Sequence, residues 1–398
     1  MTRLPKVAVI GGGIGGLTTA VAMRKRGLEV DVYERASQIG EIGAGITVSP
    51  NAIKAYRALG IEDQIAAIGF ESDYQVVRDG ETGREISRVV RKGVYQKEFD
   101  AAYYSLHRAD LVNVLRNNLP DNIFHLDAQC VSCETKAAGA VAKFADGSEI
   151  EADIIVGADG IHSAVRESIF GAQAPRFTGT VCWRGLVPYD RFAAGRISKD
   201  LTLYMGPKRH LIHYMVRRGE LLNFVAHVET DSWTGDSWTE ECDRSEVMDT
   251  FAGWHEPLLE IIGAADSYYK WALYDRDPLD TWCNGRAALL GDAAHAMLPF
   301  IGQGGGMAIE DGYTLAASIA QHPEDIPAAF QRYQALRVPR ARKAVLESRA
   351  RGEEMHLTSK WERAKRNAKM ALQKTLGGDK TGVNLGDFYA YDVTNPGS

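Results

Sequence analysis

The segment V-A-V-I-G-G-G-I-G-G-L, residues 7–17, decides the fold. Its first four residues read as a buried strand, and Gly11, Gly13 and Gly16 take the G-x-G-x-x-G positions at the turn into a helix predicted over residues 15–26. Glycines there permit a tight turn and a close approach of backbone to a pyrophosphate, while the helix start supplies unpaired N–H groups and a favourable dipole. Gly27 ends the helix, and residues 29–33 read as a second strand. Glu34 follows that strand, about 20 residues into the unit, where a carboxylate accepts from ribose hydroxyls and disfavours a 2′-phosphate. The pattern is the opening of a doubly wound α/β unit that holds a dinucleotide. By itself it does not separate FAD from NAD.

Two later segments extend it. D-I-I-V-G-A-D-G-I-H-S-A-V-R, residues 153–166, reads as a buried strand followed by Asp159 and Gly160. A carboxylate placed there is either a ligand group or an ordinary helix cap. Arg166 stands where it can reach back to an anion. In A-L-L-G-D-A-A-H-A-M-L-P, residues 288–299, Gly291 permits close backbone approach and Asp292 offers an acceptor to a sugar-like chain. His295 reads as a packing or cofactor-shell residue. Gly302, Gly304, Gly305 and Gly306 then make a second glycine-rich entrance, to a helix predicted over residues 306–321.

A chain of 398 residues suits two intimately joined domains. Its 45% hydrophobic and 25% charged content is that of a globular protein. The net charge of −6 argues against a nucleic-acid partner, which needs a basic footprint. No apolar run approaches the roughly 20 residues of a membrane span, and the N-terminus has no secretory pattern, so a cytoplasmic protein is expected. Five cysteines do not suggest a disulfide framework. Cys130 and Cys133 form a C-x-x-C in a predicted strand, where positions three apart face opposite ways, and no second pair completes a metal site.

Between the motifs, helices are predicted over residues 50–59 and 108–119, and short alternating strands over 74–94. Asp146-Gly147 marks a hairpin. Residues 181–269 are rich in strands, with a turn at Arg218-Gly219, and 245–262 reads as one helix. The end is helical, over 326–374 with breaks near Pro339; its basic stretch 360–374 reads as a solvated face or a dimer contact rather than a membrane anchor.

Together these residues resemble the single-component FAD-dependent aromatic hydroxylases, the family of p-hydroxybenzoate hydroxylase, over residues 5–345. The nearer likeness is to salicylate 1-hydroxylase, 3-hydroxybenzoate 6-hydroxylase and 6-hydroxynicotinate 3-monooxygenase. The resemblance implies a Rossmann-like FAD-binding domain (1–72, 101–180 and 273–345) interrupted by a strand-rich α+β substrate domain (73–100 and 181–272), with C-terminal helices and tail (346–398). It implies that Gly11, Gly13, Gly16 and Glu34, with Arg35, hold the AMP half of FAD. His107-Arg108-Ala109-Asp110-Leu111 matches the family's H-R-x-x-L, which puts Arg108 at the pyrophosphate-ribityl region. Asp159 matches the family's D-G acid, Asp292 the ribityl-binding acid, and the segment from Pro299 through Gly304, Gly305 and Gly306 runs beside the flavin ring. Many relatives carry asparagine where Gly306 stands, which leaves backbone N–H groups for that role.

The implied chemistry is reduction of FAD by NADH or NADPH, formation of a flavin C4a-hydroperoxide with O2, and hydroxylation of a small aromatic acid, salicylate above 3-hydroxybenzoate. One dinucleotide fingerprint is present, so NAD(P)H has no Rossmann domain of its own and visits transiently. A base must face the phenolic hydroxyl, because a phenolate is the better nucleophile. In G-P-K-R-H-L-I-H-Y, residues 206–214, His210 and Tyr214 share one face of a strand and match the family's active-site histidine and tyrosine. His210 is the expected base or proton relay and Tyr214 the hydrogen-bond donor; His213 faces the other way and is structural. Thr47 and Phe300 stand where 6-hydroxynicotinate enzymes have histidines, which argues against that substrate. Met205, Val225 and Phe300 are candidates for an apolar wall. A flavin oxidase or dehydrogenase, or a non-enzymatic FAD-binding redox sensor, is the competing reading, and the oligomer is a monomer or a homodimer.

Overall fold

The computed structural model describes residues 4–40, 44–231, 233, 240–375 and 385–396. The first three residues, on which the reading of the N-terminus partly rests, and residues 376–384 and 397–398 of the tail lie outside the described residues.

Four parallel strands form the centre of a six-stranded sheet, in the order Glu29–Tyr33, Lys6–Ile10, Ile154–Gly157 and Ala287–Leu289. Phe124–His125 extends it in parallel and Cys283–Asn284 closes the other edge antiparallel. The register sets Ile10 beside Gly157 and Gly157 beside Leu289. The three glycine-containing motifs therefore leave one carboxyl edge side by side, where doubly wound sheets bind ligands.

The helices Ile14–Arg24 and Gly304–Gln321 carry two of those motifs and cross at close quarters. A Cβ on Gly312 would lie 2.6 Å from Thr19 Oγ1 and 2.9 Å from its backbone nitrogen, so only glycine admits the crossing. Helix Ile326–Met355 continues through Pro339, where the sequence predicts a break. Its flanking Arg337 and Arg340 are both tied to the buried Glu310, and that packing outweighs the one ladder bond proline removes.

An eight-stranded sheet forms the second layer. It runs Glu240–Glu241, Tyr269–Asp275, Arg176–Pro188, Leu221–Glu229, Arg209–Val216, Leu201–Gly206, Tyr74–Asp79 and Glu85–Val90. Only the pair Leu201–Gly206 and Tyr74–Asp79 is parallel. Alternation divides its faces: Leu211, Met215 and Phe224 join a core with Phe251, Trp254 and Leu258, while His210, Ile212 and Tyr214 point to the opposite side. The predicted helix over 245–262 is two, Arg244–Thr250 and Glu256–Gly263, because Gly253 adopts φ +80° and Pro257 starts the second. The basic helix Lys360–Thr375 has one docked side: Met370 is buried with Met205 and Met355, and Arg366 donates to the carbonyls of Glu354 and Met355. Met205 is thus core rather than cavity wall.

Arg337 is the sole cation meeting both Glu310 and Asp311 among the described residues. Arg337→Ala is expected to cost about 3–5 kcal/mol in denaturant unfolding, because it strands buried carboxylates; a loss under about 1 kcal/mol, the scale of a surface pair, contradicts this. A second expectation concerns His213, wholly buried with no partner for Nδ1 among the described residues. Burial, then Arg78, pushes its pKa down to about 3. Below about 6.5 the unfolded chain takes up a proton that the folded one refuses, so this share of stability is complete above that pH and is lost below it, at up to about 1.4 kcal/mol per unit. His213→Phe should flatten the fall in unfolding free energy between pH 6.5 and 5, and an unchanged slope refutes the assignment.

Candidate functional site

A cavity of about 730 Å³ lies between the carboxyl edge of the parallel sheet and the His210 face of the second sheet. Gly11, Gly13, Glu34, Arg35, Arg108, Asp159, Asp292, Pro299, Gly304, Gly305, His210 and Tyr214 all line it. Gly16 and Gly306 do not. A Cβ on Gly16 would sit 2.0 Å from the Gly11 carbonyl oxygen, so its absence lets helix and turn meet. Gly306 faces the buried amides of Gln303 and Asn51 instead.

The floor is built to receive an anion. Helix Ile14–Arg24 has no side-chain cap and no acid in its first turn, and the same holds for Gly304–Gln321. Both helix starts therefore present uncapped N–H groups and the positive end of a dipole to one cavity. A Cβ on Gly13 would meet no protein atom within 4 Å, so that space belongs to the cavity. The side chains of Asp292 and Arg35 line the cavity and make no hydrogen bond or ion pair with protein among the described residues. An elongated group with an anionic middle and hydroxyls, as FAD is, fits this donor and acceptor set.

Some side chains are already engaged. Glu34 accepts from Gly12 N at 2.7 Å and Ala36 N at 2.9 Å, which fixes the turn and leaves further lone pairs for a ribose. Asp159 accepts from Ser163 Oγ at 2.5 Å and Val165 N at 3.2 Å, so it stabilises the start of helix Ala164–Phe170. Burial pushes its carboxyl up while those donors pull it down. Arg166 does not reach an anion: it donates to the carbonyls of Ala293 and Ala294 and so braces the Asp292 loop. His295 is buried against Asp311, with Nε2 and Oδ2 2.5 Å apart, which makes it part of the loop's support. The Cys130–Thr135 strand has a bulge after Cys130 that breaks the expected alternation; burial pushes both Cys130 and Cys133 up to about 12, which leaves them inert thiols.

The roof holds more than the sequence reading found. His210 and His227 are paired across neighbouring strands and stack with ring centres 4.2 Å apart. His210 Nδ1 lies 2.6 Å from Nε2 of His356, and neither ring nitrogen of His227 has a partner among the described residues. Phe300 meets both stacked rings edge-on, at 5.3 and 5.4 Å. Burial first, then neighbouring positive charge, holds His210 and His227 well below the usual histidine range, so both are neutral at pH 7. Tyr214 is buried beside Gly45, whose N–H donates to Asn223 Oδ1 at 2.8 Å; a Cβ on Gly45 would lie 2.7 Å from the tyrosine oxygen. Arg91 and Arg184 also line the cavity, with no carboxylate partner among the described residues. Arg91 sits over the Tyr103 ring at 3.8 Å, and Arg184 over Trp271 at 4.5 Å. The described residues contain no cluster fit for a metal ion and no helix long and apolar enough to cross a membrane.

Comparison with known proteins agrees with this geometry. A family model described as an FAD binding domain matches residues 5–348. A 3-amino-4-hydroxybenzoate 2-monooxygenase of Streptomyces platensis is 37% identical over 356 residues, 89% of this chain and 90% of its own. A 6-hydroxynicotinate 3-monooxygenase of Pseudomonas fluorescens is 36% identical over 349 residues, 86% of this chain and 90% of its own. A solved structure of a salicylate hydroxylase–substrate complex superposes with a TM-score of 0.83 at 30% identity, covering 99% of this chain and 97% of that one. The chain belongs to the FAD-dependent aromatic hydroxylases, with FAD as its cofactor and NAD(P)H and O2 as co-substrates.

Two glycines of one fingerprint should then behave differently. Gly13→Ala adds a methyl to open cavity at an ordinary φ of −75°, so it should fold with an unchanged melting temperature yet bind FAD at least tenfold more weakly, about 1.4 kcal/mol. Gly16→Ala should instead lower the melting temperature, because its methyl meets backbone. Flavin titration beside thermal unfolding reads both, and equal effects from the two changes would refute this division.

Proposed function

We propose that the chain hydroxylates a monohydroxylated aromatic carboxylate, salicylate-like in size, with His210 as the base and Tyr214 as the hydrogen-bond donor that orients the ring. The observation that carries this reading is the roof: His210 and Tyr214 share one face of the strand Arg209–Val216, in the same cavity as the glycine-rich loop and two guanidinium groups that have no acidic partner among the described residues. A neutral imidazole removes a phenolic proton, whereas a charged one cannot. Arg91 and Arg184 offer the positive charge an aromatic carboxylate requires, and Arg184 is the nearer to Tyr214 and His227 in its electrostatic effect. Ile212, Val225, Leu298 and Phe300 supply the apolar wall that excludes water from the reacting ring.

On the floor, we assign Gly11, Gly13, Glu34 and Arg35 to the AMP half of FAD, Arg108 and Asp159 to its middle, Asp292 to the ribityl chain, and Pro299, Gly304 and Gly305 to the flavin ring. Bound FAD supplies the electron transfer and the activated oxygen. Every other task falls to the chain: holding the ring against the loop at 299–305, taking the hydroxyl proton at His210, and keeping the site dry. Nicotinamide is a transient visitor, consistent with a single glycine fingerprint. The 37% identity to 3-amino-4-hydroxybenzoate 2-monooxygenase favours a second candidate, a ring with its hydroxyl para to the carboxylate.

A panel of salicylate, 3-hydroxybenzoate, 3-amino-4-hydroxybenzoate and 6-hydroxynicotinate should show stimulated NADH oxidation with one of the benzoates and a product 16 mass units heavier, the mass of one oxygen atom, or that product after loss of the carboxylate. His210→Ala should cut coupled hydroxylation by about 100-fold or more. Full coupling in that variant would remove the base assignment, and NADH oxidation that no aromatic acid stimulates would point instead to an oxidase or a redox sensor.

A further inference from the structure

His210 does not end at the cavity wall. Its Nδ1 lies 2.6 Å from His356 Nε2, and His356 Nδ1 lies 3.0 Å from Glu229 Oε1. The two imidazoles are buried, 1% and 5% exposed, but the Glu229 side chain is 40% exposed. A continuous line of hydrogen-bonding atoms thus joins the cavity to solvent. Its parts come from three places in the chain: the strand Arg209–Val216, the end of strand Leu221–Glu229, and the residue that caps helix Ile326–Met355. The tight turn at Lys208, with φ +58°, holds them together: Lys208 N donates to the His356 carbonyl at 3.2 Å, and Glu229 N donates to the Lys208 carbonyl at 2.8 Å.

We infer that His356 and Glu229 are positioning residues that extend His210 into a proton relay from the substrate hydroxyl to solvent. The inference rests on His210 being the base.

The end group sets the direction. An ionised carboxylate only accepts, so Glu229 takes the Nδ1–H of His356. That leaves His356 Nε2 as an acceptor for the Nδ1–H of His210, and His210 Nε2 as an acceptor for the substrate hydroxyl. When a proton enters at His210 Nε2, the Nδ1–H passes to His356 Nε2, and the His356 Nδ1–H passes to Glu229, which releases it to water. One proton enters and one leaves. Its return to the product phenolate along the same line restores the starting tautomers.

The surrounding charge suits neutral carriers. His227 stacks on His210, Arg351 faces it from the long helix, and Phe300 closes its edge. Arg366 faces His356 from the basic helix, opposed by Glu229. Burial dominates, so each imidazole carries one proton and one lone pair at neutral pH.

Glu229 is exposed, so its substitution tests the relay without threatening the fold. In the FAD-loaded enzyme, 15N spectra should show both His210 and His356 protonated at Nδ1, with signals assigned by their loss in His210→Gln and His356→Gln; His356 protonated at Nε2 would overturn the relay without any substrate. With salicylate and 3-amino-4-hydroxybenzoate as probes, Glu229→Ala should slow coupled hydroxylation at least tenfold with KM little changed, and added acetate should restore rate in proportion to its concentration. Glu229→Gln should be slow as well, since its amide oxygen can accept the hydrogen bond of His356 Nδ1–H but cannot take up the proton. If neither probe is hydroxylated, the spectra decide. A Glu229→Ala enzyme as fast as the parent, or one indifferent to acetate, refutes the relay while leaving His210 as base. Full activity in His210→Ala refutes the base itself.

Discussion

Glu310 and Asp311 are consecutive, wholly buried and negatively charged, and the cofactor half of the molecule depends on how that charge is met. Burial alone would raise both carboxyls. Arg337, with Arg340 and Asn51 on Glu310 and His295 on Asp311, reverses this and holds them below the usual carboxylate range. A buried pair earns little net stability over an apolar one, but removing a partner is costly, so such a cluster fixes geometry more than it adds strength. What it fixes is visible in its remaining contacts. Asp311 Oδ2 accepts from Gly291 N at 3.1 Å, and Asn51 bonds both Glu310, at 2.6 Å, and Gln303, at 3.1 Å. Both glycine-bearing loops of the third motif are thus anchored to one charged centre behind the cavity.

That anchoring explains why the floor can consist of little besides backbone. Gly13, Gly304 and Gly305 bring no side chains, and the two helix starts bring no caps. Their N–H groups stay aimed at the cavity only because the structure behind them is rigid. The crossing at Gly312 joins the first helix to the same support, so the two anion-accepting ends keep a fixed separation.

How far the sequence disclosed this follows from the kind of information each part needed. The floor was legible because its requirements are local: a glycine where backbone must approach, an acid at the end of a strand, a helix beginning at the next residue. Boundaries failed where tertiary contacts overrode local preference, as at Pro339, or where one residue's backbone decided, as at Gly253. In the roof, spacing put His210 and Tyr214 on one strand face, and the family resemblance singled them out as candidates. His227 was within reach, since a hairpin centred on the recognised turn Arg218-Gly219 places residue 227 opposite 210. His356 was not. It lies 146 residues from His210 at the end of a helix, and no local pattern announces such a meeting. Arg166 shows the reverse case, in which a residue suited to a ligand by type is occupied by the protein's own carbonyls, and Asp159 is shared between the cavity it lines and its bonds to Ser163 Oγ and Val165 N.

Floor and roof therefore solve opposite electrostatic problems. The floor gathers positive potential from helix starts and from Arg35 and Arg108, because what it holds is anionic. The roof, with His210 as the proposed base, must take a proton without keeping it. An imidazolium left over the ring would stabilise the phenolate and so lower its reactivity, and burial disfavours that cation in any case. A base buried deeply enough to stay neutral is consequently a poor resting place for a proton, and it works in turnover only with a second acceptor beside it. On the proposed assignment of His210 as base, the burial that keeps it neutral is thus the reason it needs a neighbour such as His356, and the reason that neighbour in turn needs a carboxylate in contact with water.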